Sequence, residues 1–140
     1  MSVKVFLDTN ILVYAHTDLD LVKQSTAQKL IIDNISFLST QVLQETANTL
    51  KRKFAKSWNE IITVLNEAKT HSNLHVNTDT TILQACNLAE LYRFSFYDCL
   101  IISSALECGC SILYSEDMQN DQLIDKKLRI INPFKAQASI

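Results

Sequence analysis

Glycine and proline each occur once in this chain of 140 residues, as Gly109 and Pro133. That scarcity excludes a flexible linker and any glycine-rich loop able to cradle a phosphate. Walker-type NTPases and dinucleotide-binding Rossmann enzymes, which depend on such loops, are therefore set aside. What remains is a chain of helices separated by short apolar runs.

Residues 3–7, 112–114 and 128–131 have strand character, with weaker candidates at 36–38 and 74–76. Between them the spacing predicts helices. Asn10 is placed to cap one through Ile11, Leu12 and Ala15, and a second runs over about 20–32. Ser39 or Thr40 opens a third, whose Leu43, Ala47, Leu50 and Phe54 recur on one face. Further helices are expected over 58–69, from Thr78, and from Ser95 to Gly109, where glycine suits a left-handed cap. Short strands alternating with helices predict an α/β/α sandwich around a mainly parallel sheet, in one domain spanning 1–140.

A chain of this length buries roughly two thirds of the surface its unfolded form exposes. With 47% hydrophobic and 20% charged residues, it is expected to fold alone. No stretch approaches the roughly 20 apolar residues that cross a bilayer, and the first strand is too short and polar for a secretory signal. Cytoplasmic residence and no membrane partner are expected. Cys86, Cys99, Cys108 and Cys110 lack the spacing of zinc or redox pairs and read as reduced thiols in or near the core. A net charge of −2 gives no global pull on nucleic acid. Any polyanion must be held locally, and Lys51-Arg52-Lys53-Phe54-Ala55-Lys56 offers four cations in six residues.

Four acids, each tied to an apolar element, carry the chemistry. Asp8 ends the first strand and Asp117 follows the strand 112–114, so in a parallel sheet both stand at the edge where open α/β folds bind ligands. Each also fits a plainer role, Asp8 as a helix cap and Asp117 as a turn acid. Asp98 lies in Phe96-Tyr97-Asp98-Cys99-Leu100-Ile101-Ile102, where a carboxylate is costly unless paired, capped or metal-bound. Ser95-x-x-Asp98 fits a capping box as well. Glu45 lies opposite the apolar stripe of its helix, and forms a polar stripe with Thr49, Arg52 and Lys56 that could lead from a metal site to flanking phosphates.

The segments Phe6-Leu7-Asp8-Thr9-Asn10-Ile11-Leu12, Gln44-Glu45, Ser95-Phe96-Tyr97-Asp98-Cys99-Leu100-Ile101 and Leu113-Tyr114-Ser115-Glu116-Asp117-Met118 resemble, in order and spacing, those of the PIN-domain ribonucleases. Within that family they resemble the VapC-type toxins of prokaryotic toxin-antitoxin pairs. The resemblance implies an acidic pocket of Asp8, Glu45, Asp98 and Asp117, with Asn10 and Ser115 in support. It also implies an RNA substrate, an antitoxin partner and a homodimer. Many relatives carry another acid two residues after the last aspartate. Here that position is Gln119, with Asp121 as a possible substitute.

Carboxylates without nearby His or Cys suit Mg²⁺ or Mn²⁺, as one or two ions, and His16, His71 and His75 show no ligand spacing. The expected reaction is metal-assisted in-line hydrolysis of an RNA phosphodiester, with Arg52 and Lys56 neutralising flanking phosphates. Two other readings compete. A haloacid-dehalogenase-like phosphatase would use Asp8 as nucleophile, but Asn10 stands where those enzymes carry an acid. A non-catalytic protein-binding module would keep the fold without turnover.

Overall fold

Val5, Phe6 and Leu7 are completely buried, and they form the strand around which the rest is laid. The computed structural model describes residues 3–135. In chain order the elements are β1 (Lys4–Leu7), α1 (Thr9–Ala15), α2 (Leu21–Asp33), β2 (Ile35–Ser39), α3 (Thr40–Phe54), α4 (Trp58–His71) and β3 (Asn73–His75). There follow α5 (Asp79–Tyr92), α6 (Phe96–Glu107), β4 (Ile112–Tyr114), β5 (Leu123–Ile124) and β6 (Leu128–Ile131). The sheet order is β3-β2-β1-β4-β6-β5. Every pairing is parallel except that of β5 with β6.

Parallel connections are right-handed. The chain steps from β1 to β2 to β3 in one direction and then returns past β1 to β4, so the two sets of helices lie on opposite faces. Their packing agrees: α1 meets α2 and α3, α3 meets α4, and α5 meets α6. Helix α6 is buried from Cys99 to Ala105, between α5 and the sheet. The direction of winding reverses between β1 and β4. The C-terminal ends of those two strands therefore flank the crevice in which open sheets bind ligands.

Local chemistry accounts for most boundaries. Asp20, Ser39, Ser57, Thr78 and Ser95 cap the helices that follow them, with complete capping boxes at Ser57 and Thr78. The scarcity of glycine leaves a trace at the other ends. Ala55 and Arg93 take left-handed conformations, φ 51° and 62°, to close α3 and α5, at a cost of about 1 kcal/mol each. Gly109, φ 71°, follows the end of α6 as expected.

Four expectations need correction. The cap of α1 is Asp8, whose side chain accepts from the Thr9 amide, and not Asn10, which lies inside the helix. The fully buried residues of α3 are Gln41, Val42, Thr46 and Leu50, with Leu43, Ala47 and Phe54 only half-buried. That helix packs against α1, α4 and β2 together, which broadens its covered face. Strand β5 was not anticipated. It has two residues and turns into β6 through Asp125 and Lys126, both at positive φ, a turn usually announced by Asn-Gly. Finally, Cys86 is exposed; Cys99 and Cys110 are buried, Cys108 is partly so, and all four are free.

Candidate active site

Asp8 directly follows β1 and caps α1, and this position at the strand-to-helix junction fixes its carboxylate. One oxygen accepts from the Thr9 amide at 2.7 Å and the other from the Ser115 hydroxyl at 2.7 Å. The residue is 8% exposed. Burial pushes its pKa up to about 6; the bonds from Ser115 and Thr9 counter this, and the charges of Glu45 and Asp98 add to it. Ser115 is completely buried beyond β4, and its hydroxyl oxygen also accepts from the Met118 amide at 3.4 Å.

The other three acids come from two helices and the loop after β4. Asp98 lies in the first turn of α6, its amide donating to Ser95 Oγ at 3.2 Å. Burial raises its pKa, the Ser95 hydroxyl opposes the rise, and Asp117 and Glu45 reinforce it. Glu45, on α3, accepts from Thr9 Oγ1 at 2.7 Å and from Gln41 Nε2 at 3.2 Å. Gln41 Nε2 also donates to the Tyr97 carbonyl at 3.2 Å, tying α3 to the residue before Asp98. Asp117 is exposed and accepts from Asn10 Nδ2 at 3.2 Å, while Asn10 Oδ1 accepts from the Glu116 amide at 3.2 Å.

All four acids line one cavity of about 410 Å³, with Thr9, Asn10, Thr49 and Lys53. The structure thus brings together the acids that the sequence singled out, along with Asn10, and packs Ser115 behind Asp8. It does not bring Arg52 or Lys56 to the cavity wall. Helix α3 ends at Phe54, so Lys56 leaves the helical register, and the polar stripe continues Glu45, Thr49, Lys53 instead. Asp121 does not replace the acid absent at Gln119. It is held by Arg129 on β6, at 3.1 Å, and does not line the cavity.

Glu116 is a fifth acid in the lining, with no role of its own assigned from the sequence. Its carboxylate accepts from Tyr14 Oη at 2.8 Å and is paired with the Lys23 ammonium. Adjacency to Asp117 was the only signal in the sequence, because Lys23 lies far away in the chain. The histidines also regroup: His16 and His71 line a separate cavity of about 470 Å³ between α1, α2 and α4, and His75 faces Glu107 at 3.0 Å.

The cavity's donors are oxygen atoms, with no His or Cys in its wall, which suits a hard cation. Among the described residues, no three Asp, Glu, His or Cys side chains stand close enough to encircle one ion as placed.

The PIN domain family model matches residues 5–123, most of the chain and all four acids. The chain belongs to the PIN-domain family. Solved structures share the PIN fold. Mycobacterium tuberculosis VapC20, a toxin that cleaves the sarcin-ricin loop, superposes with a TM-score of 0.66 at 21% identity, covering 81% of this chain and 89% of that one. VapBC2 from Rickettsia felis, bound to a DNA fragment from its promoter, gives 0.61 at 20% identity, covering 81% and 88%. DNA-bound VapBC from Salmonella typhimurium gives 0.64 at 16% identity, covering 91% and 96%. At these identities the likeness is one of fold. No curated protein matches the chain. As in the expected architecture, this PIN domain places its acids at the β1/β4 crevice, and no helix among the described residues is long and apolar enough to cross a membrane.

Proposed function

We propose that this PIN domain is a metal-dependent endoribonuclease and the toxin of a type II toxin-antitoxin pair. The convergence of Asp8, Glu45, Asp98 and Asp117, from four separate parts of the fold, on one cavity at the sheet's switch point carries the reading. Mg²⁺ or Mn²⁺, as one or two ions, would be held by Asp8, Asp98 and Asp117, with Glu45 bound directly or through water. Mg²⁺ keeps several of its waters and needs only one or two carboxylates, so the absence of a tight trio of acids is compatible with it. When bound, such an ion supplies an activated water and stabilises charge on the scissile phosphate.

The chain's own residues prepare that centre. Ser115 and Thr9 fix Asp8, Thr9 and Gln41 fix Glu45, and Asn10 fixes Asp117. Lys53, at the cavity wall, is the cation best placed to neutralise a flanking phosphate, ahead of Arg52 and Lys56. RNA is the proposed substrate, in the cytoplasm. An antitoxin is the proposed protein partner, supported by the likeness to VapBC complexes, and a homodimer is proposed from the VapC-type resemblance alone. The phosphatase reading finds no support, since Asn10 is committed to Asp117 and Glu116.

The test is cleavage of total RNA by the purified protein with Mg²⁺ or Mn²⁺, beside an Asp98→Asn variant prepared identically. Cleavage that disappears in the variant and in EDTA is the expected result. Equal cleavage by both proteins would refute the site. A folded, metal-supplied wild type that never cuts would favour the non-catalytic module.

A further inference from the structure

A fifth carboxylate, Glu116, lines the same cavity, and every polar group it has is engaged. Its amide donates to Asn10 Oδ1 at 3.2 Å and its carbonyl accepts from Asn132 Nδ2 at 3.4 Å. Its carboxylate accepts from the Tyr14 hydroxyl at 2.8 Å and pairs with Lys23. Lys23 is itself held. It reaches Tyr14 Oη at 3.3 Å and lies over the rings of Tyr14 and Phe134, 4.8 and 5.4 Å from their centroids. Those rings meet edge to face at 5.0 Å.

The clamp therefore draws on α1, on α2 and on the segment beyond β6, and it closes on the residue next to Asp117. Asn10 makes the connection tighter, bonding the Glu116 amide with one end of its side chain and the Asp117 carboxylate with the other. We propose that Glu116 is a positioning residue, whose carboxylate Lys23 and Tyr14 draw away from the four-acid centre, so that Asp117 is held in place and no fifth ligand enters. This rests on the four acids being an ion site.

The physical consequence is a split between binding and turnover. A free Glu116 adds a ligand charge at the cavity, and ligand charge raises cation affinity. The same release loosens the loop that carries Asp117, and small misplacements of catalytic groups slow chemistry. Lys23→Met keeps the aliphatic contacts with the two rings but removes the charge, and its partly exposed position makes the variant tolerable to the fold.

The experiment compares wild type, Lys23→Met, Glu116→Gln and the double variant. Mn²⁺ binding is measured by calorimetry without RNA, and amide hydrogen exchange is followed over residues 115–118. Lys23→Met should bind Mn²⁺ about threefold tighter or more, exchange the Glu116 and Met118 amides faster, and cleave RNA about tenfold more slowly. Adding Glu116→Gln should return Mn²⁺ affinity to the wild-type level and leave cleavage slow. Lys23→Met with wild-type Mn²⁺ affinity and exchange would overturn the clamp. So would weakened RNA binding with exchange unchanged, which would make Lys23 a phosphate contact. A wild type that binds no Mn²⁺ would instead remove the ion site, and this inference with it.

Discussion

Replacing Asp8 by asparagine should stabilise the metal-free protein at neutral pH while destroying its chemistry. The folded state holds the Asp8 proton more tightly than the unfolded chain, with a pKa of about 6 against an ordinary 3.8. Stability from this group is therefore greatest below 3.8, declines as pH rises through that window, and stays low above about 6. At 1.36 kcal/mol per pH unit the penalty is about 3 kcal/mol above neutrality. Asp8→Asn keeps an acceptor for the Thr9 amide, but weakens both that bond and the one from Ser115, which returns part of the gain. A net stabilisation of about 1–2 kcal/mol remains, or about 3–8 °C in melting temperature for a domain of this size. The assay is thermal unfolding in EDTA across the acid-to-neutral range. The variant should melt higher at neutral pH and lose most of the wild type's decline between about pH 4 and 6. A variant that melts no higher, with an unchanged pH profile, would refute the assignment of burial as the dominant effect on Asp8.

Other perturbations test other links. Leu113→Ala empties a fully buried position in β4, beside β1, and should cost about 3 kcal/mol in urea unfolding. Ala55→Gly relieves a left-handed residue at φ 51° and should add about 0.5–1 kcal/mol, read in the same assay. Lys53→Ala should weaken RNA binding and reduce its salt slope by about 1. Arg52→Ala and Lys56→Ala, away from the cavity wall, should change that slope less in the same titration.

The fold was legible wherever periodicity and capping spoke together. Asp20, Ser39, Thr78 and Ser95 announced helices that begin beside them, and the five expected strands exist within one or two residues of their predicted bounds. Strand β5 stayed hidden because two residues cannot show alternation and Asp125-Lys126 carries no glycine. The four acids could be named because each sits at an element boundary that topology brings to one edge. The cation at the wall could not: Lys56 is lost because α3 stops at Phe54, an end that a left-handed alanine does not advertise, and within the helix the wall follows the row Glu45, Thr49, Lys53 rather than the row through Arg52. Nor could the Lys23–Glu116 pair, whose partners approach only when α2 packs near the loop after β4.

The two sheet edges carry their own consequence. The outermost strands are the three residues of β3 and the two of β5, too short to template a neighbour's backbone. At high concentration the folded protein has little means of growing by strand addition. Clumping of this protein should then report partial unfolding rather than edge-to-edge pairing of folded sheets.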